Sequence, residues 1–388
     1  MSGKLTLPIL LLVAFFAMSA GAVVAPVLPF MVEPLSTSRE AVGLVLGVYT
    51  FSTAFFMFFL STVMDRLGRK TVLVPCLLIN GVIGVACYFA PDLRTLLILR
   101  FIQGIGIAGM FPIVMTMIGE LYSGLGRVDA MGKMSMTTGI GGVSAPLIGG
   151  LMAVYGWNVP FLFYGLTVPL AIIALLVLPE TNMPESRSNH SALDLARNLK
   201  EFRISYTMFL AFAIFFLLYT MVIYIPFLLK DGYGFDAKQA GLALGFQGIA
   251  MALVASRARI LAKHWGKQKL VRTGFMVTGL ALAGTIFANT LLWNMLFIFL
   301  FGVGFGMVQP SLNTLITQVA PPKMMGGIVS LYNIMKYVGQ TAAPLILALV
   351  LFNFSLRAVF ATSSITAFMV AVSIHLAGDI YAGLDDDE

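Results

Sequence analysis

The stretch Arg100-Phe-Ile-Gln-Gly104-Ile-Gly106-Ile-Ala-Gly-Met-Phe-Pro112 has a second copy later in the chain, Ile298-Phe-Leu-Phe-Gly302-Val-Gly304-Phe-Gly-Met-Val-Gln-Pro310. Gly104, Gly106 and Pro112 return as Gly302, Gly304 and Pro310, each 198 positions on. Working outward, Gly43-Leu44 and Leu46-Gly47 return as Gly241-Leu242 and Leu244-Gly245. Gly141, Ala145 and Pro146 return as Gly339, Ala343 and Pro344 at the same spacing. Unrelated apolar stretches do not share glycines and prolines at one constant offset, so the chain reads as two homologous halves. In a membrane such duplication marks a transporter with its site between the halves.

The solvent is set by composition. Of 388 residues, 59% are hydrophobic and 11% charged, against roughly 25% charged in an ordinary soluble domain. A bilayer allows apolar side chains to face outward, and it forces every backbone polar group to be satisfied within the span. The apolar runs reach helix-spanning length, about 20 residues, and lack the alternation of a barrel wall. The expected fold is an all-α integral membrane protein with 12 transmembrane helices in two six-helix halves around a central cavity. The net charge of +7 suggests nucleic acid at first sight, but the basic residues lie in short loops, where they set topology. Cys76 and Cys87 share one predicted span, which supports neither a disulfide framework nor a metal site.

The predicted spans cover 7–33, 41–64, 71–90, 94–121, 130–155 and 158–178, then 204–229, 238–258, 270–290, 292–318, 326–352 and 354–377. The halves are thus residues 1–178 and 204–388, joined by a linker at 179–203. Seventeen Lys and Arg residues, from Lys4, Arg66, Arg69 and Lys70 to Lys323, fall on one side. Five, Arg39, Arg94, Lys230, Lys238 and Arg357, fall on the other. The richer side is cytoplasmic, which puts both termini inside a multi-pass protein of the plasma membrane (the cell inner membrane). In the linker, Pro179 to His190 reads as a flexible polar stretch. Leu195, Leu199 and Phe202 follow helical spacing beside Arg197, Lys200 and Arg203, as in an interfacial helix on anionic lipid; a simple tether is the alternative. The acidic end, Asp385–Glu388, reads as solvated.

Three motifs carry a family resemblance. The loop Ser61-Thr-Val-Met-Asp65-Arg66-Leu-Gly68-Arg69-Lys70 resembles the G-x-x-x-D-R-x-G-R-R/K signature of the major facilitator superfamily, with Ser61 for the leading Gly. Its second-half counterpart, Lys263-His264-Trp265-Gly266-Lys267, has lost the acid. The resemblance implies a conformational latch. Asp65 would accept from a helix N-terminus, Arg66, Arg69 and Lys70 would hold carboxylates or lipid phosphates, and Gly68 would permit the turn. In the fifth span Gly132, Gly141, Ala145, Pro146, Gly149 and Gly150 resemble the G-x8-G-x3-G-P-x2-G-G pattern of drug–proton antiporters within that superfamily, with Ala145 for one Gly. It implies gate-helix packing, because small residues let backbones approach. In the fourth span Arg100, Gln103, Gly104 and Gly106 resemble R-x-x-Q-G-x-G, whose Arg the family links to proton movement. The plain alternatives are a topology-setting loop, ordinary small-residue packing, and an Arg100 that snorkels to the interface.

Lys336 falls some ten residues inside the eleventh span, too deep for easy snorkelling, so it should face protein or water. Tyr332, Asn333, Tyr337 and Gln340 sit near it at helical spacing. Gln247, Gln309 and Asn313 add polar groups on spans that line the cavity in the family. The acids are peripheral: Glu33 ends the first span and Glu120 the fourth. A cavity holding Arg or Lys without acid favours an anionic or neutral amphipathic cargo. Proton coupling would use Glu33, Glu120 or a neutralisable Lys336. His375 near the inner end of the last span reads as interfacial.

The expectation is a secondary active transporter that exports small amphipathic organic compounds by alternating access, coupled to protons. Its partners would be a small-molecule substrate, protons and membrane lipids, with no cofactor, no metal and no nucleic acid, and it would be a monomer. The rivals are an organic-anion or solute symporter or uniporter and a non-transporting membrane sensor. The histidines, His190, His264 and His375, are scattered, and Gly104-Ile-Gly106 lies inside a span and is no dinucleotide loop, so an enzyme is not expected.

Overall fold

The structure is a computed structural model and describes residues 2–181, 201–321 and 324–381, apart from the side chains of residues 2–4, 61, 62, 65 and 128. The expected interfacial helix at 192–202, most of it, and the acidic end at 385–388 lie outside the described residues. Twelve helices are long and apolar enough to cross a membrane. They are α1 (Leu5–Met31), α2 (Arg39–Leu60), α3 (Arg69–Tyr88), α4 (Leu93–Leu121), α5 (Gly124–Tyr155) and α6 (Val159–Val177). The second set is α7 (Phe202–Tyr233), α8 (Ala237–Ala255), α9 (Lys267–Phe287), α10 (Leu291–Val319), α11 (Met325–Asn353) and α12 (Leu356–Leu376). Each answers to one expected span, with ends shifted by a few residues. No strand occurs among the described residues.

The repeat is visible in the helix ends. Ser38 caps α2 by accepting from Ala41 N, and 198 residues later Asp236 caps α8 by accepting from Gln239 N at 2.7 Å. Asp92 caps α4 through Thr95 N at 2.8 Å, and Thr290 does so for α10 through Trp293 N. A side-chain acceptor satisfies an orphan N–H of the first turn and fixes where the helix begins. The hydrogen bond from the Thr95 backbone holds the Asp92 carboxyl below its ordinary range.

Packing repeats at the same offset. A Cβ on Gly104 would lie 2.6 Å from the Tyr49 carbonyl oxygen, and one on Gly302 would overlap the equivalent Gln247 carbonyl. A Cβ on Gly106 would meet the Cys76 carbonyl and Asn80 N, and one on Gly304 would meet the Gly274 carbonyl and Thr278 N. Backbone therefore touches backbone where α4 crosses α2 and α3, and where α10 crosses α8 and α9. Without a hydrophobic drive between helices in lipid, such close approach supplies dispersion contact. On the outer face of α2, Phe51, Phe55 and Phe59 are exposed at four-residue spacing with adjacent rings in contact. Lipid chains are their natural solvent.

The described residues fall into two compact units, Met1–Ser188 with Leu229–Gly245, and Asn189–Leu228 with Phe246–Glu388. The end of α7 and the start of α8 belong to the second half by the repeat, yet they pack in the first unit. Lys230 Nζ donates to the Pro29 carbonyl at 3.0 Å and lies 4.4 Å from the Phe30 ring centroid. Arg39 and Asp231 form an ion pair. On the Lys/Arg reading this is the outer end.

Candidate functional site

The loop that carries Asp65 to Lys70 turns at Gly68, whose φ of +98° breaks the chain between two helices; Gly266 repeats the break at +77°. Arg69, 2% exposed, is held by Glu120: its Nη2 and Nε lie 3.0 and 3.1 Å from Glu120 Oε1, and its Nη1 donates to the Met64 carbonyl at 2.6 Å. The repeat places Lys267 and Gln318 at the corresponding positions, where Lys267 Nζ donates to Gln318 Oε1 at 3.1 Å. The first copy is an ion pair and the second a neutral acceptor on a cation, in one geometry. Arg66 is exposed and Lys70 partly so. The Asp65 carboxylate lies outside the described atoms.

Glu180 was missed by the sequence reading, which took Pro179 onward as flexible. The structure corrects this for Pro179–Thr181. Glu180 Oε1 accepts from Lys70 N at 2.9 Å, and Oε2 accepts from Thr71 N at 2.9 Å and Thr71 Oγ1 at 2.6 Å. Arg69 N donates to the Thr181 carbonyl. The carboxylate thus caps α3 at its positive end. Burial pushes its pKa up, but the Thr71 hydroxyl and the backbone N–H groups outweigh that and hold it below the usual carboxylate range. A Cβ on Gly68 would sit 2.6 Å from Glu180 Cδ, so the glycine is needed for space as well as for φ. An acid just past a span that ends beside a helix start was the signal available.

In α5 the small residues are not equivalent. A Cβ on Gly149 would overlap the Val23 carbonyl oxygen, and one on Gly150 would stand 2.6 Å from the Ala237 carbonyl oxygen. Gly141 meets Phe15 and Ser19 at ordinary contact or slightly closer, and Ala145 is fully buried. Across from them, a Cβ on Gly241 would overlap the Pro146 carbonyl. Gly132 departs from the expectation: nothing lies within 4 Å of where its Cβ would be, so it contributes no packing here. It sits near the start of the helix, away from the crossing with α1 and α8.

Arg100 is fully buried, which excludes snorkelling. Its Nε donates to the Val45 carbonyl at 3.1 Å and its Nη1 to Gln103 Oε1 at 2.7 Å and to Tyr164 OH at 3.5 Å. Gln103 Nε2 donates to Asn80 Oδ1 at 3.0 Å, Asn80 Nδ2 to Thr167 Oγ1, and Tyr164 OH to the Ala20 carbonyl. The Tyr49 ring centroid lies 4.4 Å from the guanidinium carbon. One cation thereby joins α1, α2, α3, α4 and α6. Its Nη2 has no partner among the described residues, and no described carboxylate pairs with it. Tyr49, Asn80, Tyr164 and Thr167 were not singled out from sequence, because isolated polar residues in apolar spans look alike until their neighbours are known.

In the second unit Lys336 forms the other cationic cluster. Its Nζ donates to Asn313 Oδ1 at 3.1 Å, and the same oxygen accepts from Tyr332 OH at 2.9 Å. The ammonium lies 4.2 Å from the Tyr332 ring centroid and 5.6 Å from that of Phe215. Residues of α7, α10 and α11 therefore form an aromatic and amide cage around a cation, with no described carboxylate in ion-pair range. Gln247 is buried, with Oε1 unpartnered among the described residues. Gln309, Asn333 and Tyr337 are half-buried, and no hydrogen bond joins their side chains to Lys336. Glu33 is exposed just past the end of α1, and Glu120 is paired with Arg69. His375 is exposed, as an interfacial residue would be, and its Nδ1 lies 3.0 Å from Arg272 Nη1.

Twelve apolar helices in two copies of one pattern, with Arg100 buried in the first and Lys336 half-buried in the second, are the build of a polytopic transporter. Residues 10–344 match the model of the Major Facilitator Superfamily, and the chain belongs to that family. It is a transporter and not an enzyme. It is 32% identical over 348 residues to the bacillibactin exporter of Bacillus subtilis (strain 168), covering 84% of this chain and 85% of the relative. It is 26% identical over 386 residues to the multidrug resistance protein MdtG of Escherichia fergusonii, covering 92% and 91%. In fold it matches a bacterial homologue of the human lysosomal transporter Spinster, with TM-score 0.81, 16% identity and 96% of each chain covered.

Proposed function

We propose that this chain exports small amphipathic organic compounds, anionic or neutral, by alternating access, with protons as the counter-ion. The observation that carries the cargo class is the Lys336 cage: a half-buried ammonium held by a neutral amide oxygen and two rings. An anion entering such a place meets an uncompensated charge, whereas a cation is repelled. Export, rather than import, is supported by the relatives, which are named as an exporter and a multidrug resistance protein. The moving bodies are the halves 1–178 and 204–388, in a monomer seated in the inner membrane with both termini in the cytoplasm.

Lys336 is a poor carrier for the counter-transported proton. Protonation of a lysine strengthens anion binding, and by reciprocity the anion strengthens protonation. The two would travel together, which is symport. An exporter needs a proton site that competes with a closed contact, and Glu120 offers one: a proton there removes the charge that holds Arg69. Arg66, Gly68, Arg69 and Lys70, with Asp65, form the latch in this reading, and Glu33 is the second acid available. Arg100 and Gln103 hold the first half in a transport-competent shape. The alternative, anion import by symport, rests on the same lysine.

The test is proton flux in proteoliposomes carrying a trapped pH dye. Addition of an organic anion on the cytoplasmic face should drive protons in the opposite direction. Protons moving with the anion would establish symport. A response to lipophilic cations alone would refute the cargo class.

A further inference from the structure

The Lys336 cage occurs in only one copy of the repeat. Counting back 198 residues, Asn313, Tyr332 and Lys336 correspond to Met115, Met134 and Thr138, and Phe215 to Ala17. The helix caps at Ser38 and Asp92, the Gly104 and Gly106 crossings and the Arg69–Glu120 pair keep a counterpart across the repeat. The amide, the amine and the rings do not. This group is set apart from the caps and crossings that the two halves share.

Asn313 is its hinge. Its Oδ1 accepts from two donors on successive turns of α11, Tyr332 OH at 2.9 Å and Lys336 Nζ at 3.1 Å. Tyr332 is buried, and its ring packs over the same ammonium at 4.2 Å. Phe215 on α7 closes another side and is itself braced edge-on by Phe305. An ammonium has three N–H donors, and Asn313 takes one. No described carboxylate neutralises the charge, and an amide oxygen orients a cation without cancelling it, which leaves the charge available to a ligand. An aspartate in this place would have the same shape and would cancel the charge.

We propose that Asn313 is the positioning residue that sets the charge selectivity of the cargo site, making it select organic anions. This rests on the exporter reading above and deepens it. A neutral anchor at 313 with the amine at 336 gives an anion site. An acid at 313 with the amine gives a site blind to charge. An acid at 313 without the amine gives a cation site.

The experiment uses three probes: 8-anilinonaphthalene-1-sulfonate, its neutral parent N-phenyl-1-naphthylamine, and ethidium. Binding to the purified full chain in nanodiscs is measured for wild type, Asn313→Asp, Asn313→Asp with Lys336→Met, and Asn313→Leu. Wild type should prefer the sulfonate over its parent by about tenfold or more, the factor that one charge-assisted hydrogen bond supplies. Asn313→Asp should bring that ratio near one while binding of the neutral parent holds, which a general loss of structure would not do. The double variant should prefer ethidium. Asn313→Leu removes the oxygen without adding charge; it should weaken sulfonate binding several-fold yet keep the order of preference. Should Asn313→Asp fail to fold, unchanged sulfonate affinity in Asn313→Leu overturns the proposal. An Asn313→Asp protein that still prefers the sulfonate overturns it too, while leaving the anion-exporter reading intact. A wild type without preference for the sulfonate refutes the anion class itself.

Discussion

Gly150 and Gly241 pack one end of the first unit, the outer end on the Lys/Arg reading, and replacing Gly150 by alanine tests what that packing does. The new methyl would lie 2.6 Å from the Ala237 carbonyl oxygen and 3.1 Å from Lys238 Cα. Ordinary contact begins near 3.4 Å, so α5 and the start of α8 must part by about 0.8 Å, backbone from backbone. Overpacking of this kind costs about 1–3 kcal/mol. If the contact exists only while this end is closed, the cost falls on the closed state alone and moves the equilibrium about 5–150-fold toward the open one. Spin labels on exposed Tyr155 and Lys238 (each replaced by cysteine, with buried Cys76 and Cys87 removed) read the separation directly. Gly150→Ala should add or enlarge a long-distance population, and Gly241→Ala, which would overlap the Pro146 carbonyl, should do the same. Gly132→Ala, with open space around it, should leave the distances unchanged. A folded Gly150→Ala protein with the wild-type distance distribution would refute the reasoning.

Three further outcomes are expected. Arg69→Lys and Glu120→Gln should each weaken the latch and reduce transport. The double variant recreates the Lys267–Gln318 pair of the second repeat and should recover part of the lost thermal stability, though not proton-coupled transport, so a double-mutant cycle in stability with no favourable coupling would count against equivalence of the two pairs. Arg100→Lys keeps the charge, but a compact ammonium lacks the planar fork that spans Val45, Gln103 and Tyr164; transport should fall about tenfold or more, the value of one lost charge-assisted bond, and wild-type rates would remove Arg100 from the mechanism. Glu180→Ala should lower thermal stability by about 1 kcal/mol at neutral pH, as loss of a helix cap does. Because the folded carboxyl titrates below its unfolded value of about 4.3, this contribution is present above that pH and is lost as pH falls through the folded value. The difference between wild-type and variant melting curves should therefore be larger at pH 7.5 than at pH 3.

Much of the architecture was legible from sequence because bilayer solvent imposes it locally. Each span announces itself by length and apolarity, and the constant offset fixed which spans correspond. The latch glycine and the small residues of α5 were legible as motifs. Their work was not, because Gly132 and Gly149 look the same in sequence and only one of them meets a carbonyl. Lys336 stood out as a charge where none is easily kept, and Arg100 likewise.

The partners of those charges came only from tertiary structure. Asn313 and Lys336 are on different helices, as are Arg100, Val45, Asn80 and Tyr164, and Arg69 and Glu120. A hydrogen bond acts over about 3 Å, so sequence distance carries no information about it once chains cross. Glu180 shows the same limit: read alone it is a polar residue after a span, and it becomes a cap only because the start of α3 lies against it. The sequence by itself determined the membrane class, the twelve spans, the duplication and the rare buried cations, since each follows from local solvation. What faces those cations was decided by the packing of helices far apart in the chain.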